Sequence, residues 1–71
     1  MSKKIITISG KVVYQELGMG FWGIIDDSGK EWLPINLPKR YEVKDKRVHL
    51  KAKLVEGGMS VFMWGTMIEL V

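Results

Sequence analysis

Between residues 47 and 55 polar and apolar side chains alternate without interruption. Val48, Leu50, Ala52 and Leu54 share one parity, and Arg47, His49, Lys51 and Lys53 share the other. A strand sends successive side chains to opposite faces, so a period of two describes a β-strand with one buried and one solvated face. The N-terminal stretch repeats the pattern over residues 3–14. There Ile6, Ile8, Gly10, Val12 and Tyr14 point one way, and Thr7, Ser9, Lys11 and Val13 point the other. Gly10 is where that strand can bend or bulge. Ile6, Ile8, Val12, Val48, Leu50 and Leu54 are accordingly expected to be nearly buried.

Glycine and proline punctuate the rest of the chain at short intervals, which is the mark of an all-β protein. Leu17-Gly18-Met19-Gly20 forms a turn, and residues 21–25 form a short, almost continuously apolar strand. Asp26-Asp27-Ser28-Gly29 closes it, with Gly29 free to take positive φ. Residues 30–37 make a third strand, paired antiparallel to the second, and Pro34 places it at an edge or a bulge because proline cannot donate to a ladder. Residues 37–43 are too few for a stable isolated helix, so one or two turns are the most expected there. Pro38 suits the first helical position, and Asn36 is a nearby cap. Lys44-Asp45-Lys46 is a polar turn before the fourth strand. Glu56-Gly57-Gly58 closes a further hairpin into a fifth strand over residues 59–64. Gly65-Thr66 breaks that strand, and Met67, Ile68, Leu70 and Val71 are apolar enough to pair with or pack against the rest.

A long strand, a hairpin, a short helical insertion between strands three and four, and a second hairpin is the order of a five-stranded OB-like Greek-key barrel. An SH3-like barrel and a simple meander are the rival arrangements. All 71 residues make one domain. The chain has no cysteine and one histidine, which excludes disulfides and a structural zinc site. No run of 18 apolar residues occurs, and the start lacks the long apolar stretch of a signal peptide. The expectation is a soluble, cytoplasmic domain without membrane contact or bound metal. Net charge is +3 and the pI near 9.3. The charge is unevenly placed: residues 39–53 hold seven Lys and Arg against Glu42 and Asp45.

Three motifs, Gly20-Phe21-Trp22-Gly23-Ile24-Ile25-Asp26-Asp27-Ser28-Gly29, Leu33-Pro34-Ile35-Asn36-Leu37-Pro38 and Met63-Trp64-Gly65-Thr66, together resemble a small prokaryotic family of short single domains and fused modules. The resemblance spans residues 10–71. It implies a small OB-like barrel, and it implies no catalytic residue and no cofactor.

Enzyme chemistry finds little footing in these residues. His49 lies on a solvated strand face, where general acid–base work would still need an oriented partner. Asp26 and Asp27 are adjacent turn carboxylates, which form turns far more often than they recruit a hard cation. The Gly18-Met19-Gly20 turn lacks the lysine and the following helix of a phosphate loop. The chain therefore reads as a non-enzyme. Aromatic residues are more informative, because Phe21 and Trp22 are neighbours on one strand and cannot both enter one core. Either the outer face is covered by loops and residues 37–43, or it is open to a partner.

Three functions follow, the third being a purely structural accessory domain that lies beside, or is fused to, a larger protein. The first is a non-catalytic binding or interaction module, whose partner is a protein, a ligand or a second copy of the chain. The second is a single-stranded nucleic-acid binder, with Trp22 and Trp32 stacking on bases and Lys39, Arg40, Lys44, Arg47, Lys51 and Lys53 meeting phosphates. Against the second, Asp26, Asp27 and Glu31 share strands two and three with the aromatics, while the cations sit on strand four and the loop before it.

Overall fold

A computed structural model describes residues 4–55 and 64–71. Its first strand, β1 (Ile5–Gln15), is long enough to serve two neighbours. Ile5 to Lys11 pair antiparallel with β4 (Arg47–Leu54), and Gly10 to Gln15 pair antiparallel with β2 (Phe21–Asp26). The two registers overlap at Gly10 and Lys11, and Gly10 faces Val48 on one side and Asp26 on the other. A methyl group there would collide with the Ile25 carbonyl oxygen, so only glycine lets three strands close at this point.

The hairpin expected between the second and third strands forms, with Ile24 opposite Trp32 and Ile25 opposite Glu31 on β3 (Glu31–Pro34). Its turn is held by Gly29 N–H donating to Asp26 O at 2.9 Å, with Gly29 at φ 91°. The barrel is completed by β5 (Thr66–Leu70), parallel to β3 and antiparallel to β4. The closed order β1-β2-β3-β5-β4 is that of an OB-like Greek-key barrel, and its parallel β3–β5 pair has no place in a simple meander. Closure also corrects the reading of Pro34. It occupies neither an edge nor a bulge but the last position of β3, where the following Ile35 N–H supplies the bond to Ile68 O at 2.9 Å. The hairpin at Glu56-Gly57-Gly58 and residues 59–63 of the strand expected over 59–64 lie outside the described residues, and Trp64, its last position, belongs to no strand. The apolar residues after Gly65 do pair, as β5.

A single 3-10 turn, Lys39–Tyr41, separates β3 from β4. Pro38 precedes it in extended conformation, and no side chain caps it. Asn36, expected as that cap, turns instead to β5. Its amide nitrogen donates to Leu70 O at 3.0 Å and its amide oxygen accepts from Leu70 N–H at 2.8 Å, so the side chain imitates one more rung of the β3–β5 ladder. In the turn before β4, Asp45 has φ 65°, a left-handed conformation that aspartate tolerates better than most residues. Its N–H donates to Val12 O, while Val12 N–H donates to Lys46 O, extending β1's pairing past Arg47.

Ile8, Val12, Ile24, Trp32, Val48, Ala52 and Ile68 form the buried core, with Ile6, Trp22, Leu37, Tyr41, Leu50 and Leu70 partly buried against it. Leu54 departs from the expected core and is 46% exposed. It is the last residue of β4, one position beyond the Ile5–Lys53 rung, so no β1 residue lies opposite to cover it. Phe21 and Trp22 divide between the faces as the period of two demands: Trp22 pairs with Tyr14 on the inner parity, and Phe21 with Gln15 on the outer. The outer face at Gly23 is covered by Trp64 and not by residues 37–43, whose Leu37 and Tyr41 pack against the core. Any side chain at Gly23 would occupy the space of the Trp64 ring, and Phe21 meets that ring edge-on at 5.4 Å.

Candidate binding surface

The outer face of the β1–β4 pair is where the polar chemistry gathers. Its rungs set Thr7 opposite Lys51, Ser9 opposite His49, and Lys11 opposite Arg47, with Ile5 opposite Lys53 at one end. Residues directly opposite in an antiparallel pair have Cβ atoms about 4.5–5.5 Å apart on one side of the sheet. Two rungs along the strand lie roughly 7 Å apart. Alternation in two strands thus becomes a compact two-dimensional array, which neither strand alone could show.

Carboxylates answer most of the cations. Arg47 donates to both oxygens of Asp27, at 2.7 and 3.1 Å. Asp27 in turn is fixed by its own N–H donating to Ser9 O at 2.9 Å. The Arg47 guanidinium holds the Asp27 carboxyl below its ordinary value, and Asp27 raises Arg47 in return. Lys53 lies 3.7 Å from Glu69, and Lys11 lies 4.0 Å from Asp45. Lys39, Lys44 and Lys51 are exposed and have no carboxylate within ion-pair distance among the described residues. At the centre, Ser9 Oγ and His49 Nδ1 are 2.5 Å apart.

Asp26 does different work. Its Oδ1 accepts from Ser28 N–H at 3.0 Å, Ser28 Oγ–H at 2.8 Å and Lys30 N–H at 2.9 Å, while Oδ2 accepts from Trp32 Nε1–H at 2.8 Å. Donors to the ionised form, Trp32 first and then Ser28, pull its pKa down from 3.8 to about 2. This carboxylate ties the β2–β3 turn to a core tryptophan. Both aspartates have their oxygens engaged by protein donors, and no group of three His, Cys, Asp or Glu among the described residues is placed to hold a metal. No helix among those residues is long and apolar enough to cross a membrane.

The structure does not bring the expected stacking and phosphate residues onto one face. Trp32 is buried, its N–H engaged by Asp26, with Lys30 Nζ 4.9 Å from the ring centroid. Trp22 is half-buried on the inner parity, edge-on to Tyr14 at 5.0 Å. Lys39 and Arg40 belong to the 3-10 turn, where Arg40 lies 5.0 Å over the Tyr41 ring, and Lys44 stands in the next loop. Arg47, Lys51 and Lys53 share the outer face of β4. Thr7 and Ser9 were readable only as outward strand residues, since the register that sets them against Lys51 and His49 is a tertiary fact. No family model, curated protein or solved structure matches this chain. What stands of the motif resemblance is therefore the barrel, and it adds no residue to this surface.

Proposed function

We propose that this chain is a non-catalytic binding module that meets its partner through side chains on the barrel's outer surface. One contrast carries the reading: the carboxylates suited to acid–base chemistry, Asp26 and Asp27, are held by partners within the protein, whereas several cations are not. Asp26 is bonded to the turn and Trp32, Asp27 to Arg47, and His49 Nδ1 to Ser9, while Lys39, Lys44 and Lys51 are exposed with no carboxylate within ion-pair distance among the described residues. Each strand of the closed barrel has a neighbour on both sides, so a protein partner or a second copy would read side chains and not an open strand edge.

Single-stranded nucleic acid is the second reading, favoured by those uncompensated lysines. Burial of Trp32 moves its weight from stacking to phosphate contact. Titration of an oligonucleotide at two salt concentrations tests it. Each phosphate neutralised on a single strand releases about 0.7 of a counterion, so four contacts give log affinity a slope of roughly −3 against log salt. Lys51→Glu with Lys53→Glu should weaken binding to every sequence alike and flatten that slope. A salt-independent affinity, or one that the double variant leaves unchanged, would remove nucleic acid from consideration.

A further inference from the structure

We infer that Thr7, His49 and Lys51 form a binding site for a phosphoryl group on the outer face of the β1–β4 pair. The inference deepens the binding reading of this face and rests on it, but it does not require a nucleic-acid partner. Its first support is the pattern of compensation along the face. Lys11 and Arg47 at one end have Asp45 and Asp27, and Lys53 at the other has Glu69. Lys51, between them, has no carboxylate within ion-pair distance among the described residues. The flanking charges are locally neutralised, so the positive potential of the face centres on Lys51, which favours an anion there over a diffuse polyanion.

The second support is the state of the imidazole. Three groups face His49 across the sheet and along it: Ser9 on the opposite strand, and Arg47 and Lys51 two residues away on its own. Ser9 Oγ and His49 Nδ1 lie at hydrogen-bond distance. With Ser9 Oγ–H taken as the donor, the neutral ring keeps its proton on Nε2. That N–H is then a fixed donor on the exposed side of the sheet. Thr7, directly opposite Lys51 and two residues from Ser9, adds a hydroxyl with no partner among the described residues. An N–H, an ammonium and a hydroxyl thus border one patch about 5 by 7 Å across. Three donors of different direction suit the several oxygens of a phosphoryl group better than the two of a carboxylate. The same phosphoryl oxygens are presented by inorganic phosphate and by the terminal phosphate of a nucleotide, so the chemistry recognised is the same.

His49 is the only histidine in the chain, so its ring nitrogens report on the site without ambiguity. Inorganic phosphate is titrated into 15N-labelled protein at constant ionic strength, with chloride as the matched control, while the His49 ring signals are followed. The free protein should show the Nε2–H tautomer. Phosphate should then move Nε2 along a saturating curve of millimolar midpoint, and chloride should not. Lys51→Gln should weaken binding at least tenfold, and Ser9→Ala should mix the tautomers and weaken it several-fold. Lys11→Gln, whose lysine already faces Asp45, should leave the curve unchanged. Thermal melts of each variant identify any that fails to fold, and Thr7→Val then serves as the replacement. A linear response shared with chloride, or a Lys51→Gln curve equal to that of the unaltered protein, overturns the inference. A parallel arm uses an oligonucleotide with and without a 5′-phosphate at about 0.15 M salt. Saturation by phosphate with no oligonucleotide binding supports the site and retires the single-strand reading. Oligonucleotide binding that leaves His49 unmoved does the reverse.

Discussion

Asp26 shows how one side chain can link a turn to a core. Its two oxygens accept four hydrogen bonds, one from a buried indole, and they hold its pKa at about 2 against an ordinary 3.8. A carboxyl whose pKa is lowered by folding stabilises the folded state above its unfolded value and loses that contribution as pH falls through the folded one. Asp26 should therefore hold stability in full above about pH 3.8 and surrender it progressively toward about pH 2. Urea midpoints measured across that window should fall in the unaltered protein. They should lose this component in Asp26→Asn, which cannot ionise. Identical pH profiles for the two proteins would mean that the carboxylate plays no such part. Asp45 makes a second point at the same scale. Its φ of 65° should make Asp45→Gly neutral or mildly stabilising, whereas Asp45→Val, β-branched in a left-handed conformation, should cost roughly 1–3 kcal/mol in chemical denaturation.

Among elements, β1 and β4 were legible from alternation alone, and the β2–β3 hairpin from its Asp-Asp-Ser-Gly turn. Such signals are local, and the structure keeps them. The departures all come from closure. Leu54 has the parity of a core residue, yet it lies past the last β1 rung and stays 46% exposed. Asn36 has the chemistry of a cap, yet the parallel approach of β5 offers it a better pair of partners. No sequence pattern shows which strand will arrive beside which. Truncation separates the two kinds of position. Ile24→Ala, at a fully buried site, should cost about 2–5 kcal/mol, while Leu54→Ala should cost less than about 1 kcal/mol. Equal losses would place Leu54 back in the core. Asn36→Ala should leave the barrel folded but speed amide exchange at Leu70, whose N–H loses its acceptor. Unchanged protection at Leu70 would show that the amide does not complete the ladder.

At the scale of the molecule, five strands closed on one another convert two one-dimensional alternations into an inside and an outside. The inside takes Trp32 and the parity of Trp22, which the sequence offered as stacking residues. The outside of β1–β4 takes Thr7, Ser9, His49 and the cations Lys11, Arg47, Lys51 and Lys53. The charged window of residues 39–53 was visible in composition, but its division into compensated and uncompensated cations depends on Asp27 reaching Arg47 and Glu69 reaching Lys53 through space. That arrangement underlies the central claim, that partners meet this chain on the β1–β4 outer face. The most direct test maps backbone amide shifts of the labelled protein during titration with inorganic phosphate at low salt. The strongest perturbations should fall on Thr7, Ser9, His49 and Lys51 and fade as salt is added. Perturbations centred on Leu17 to Gly20, or on Phe21 and Gly23 where Trp64 covers β2, would contradict it, as would no perturbation anywhere.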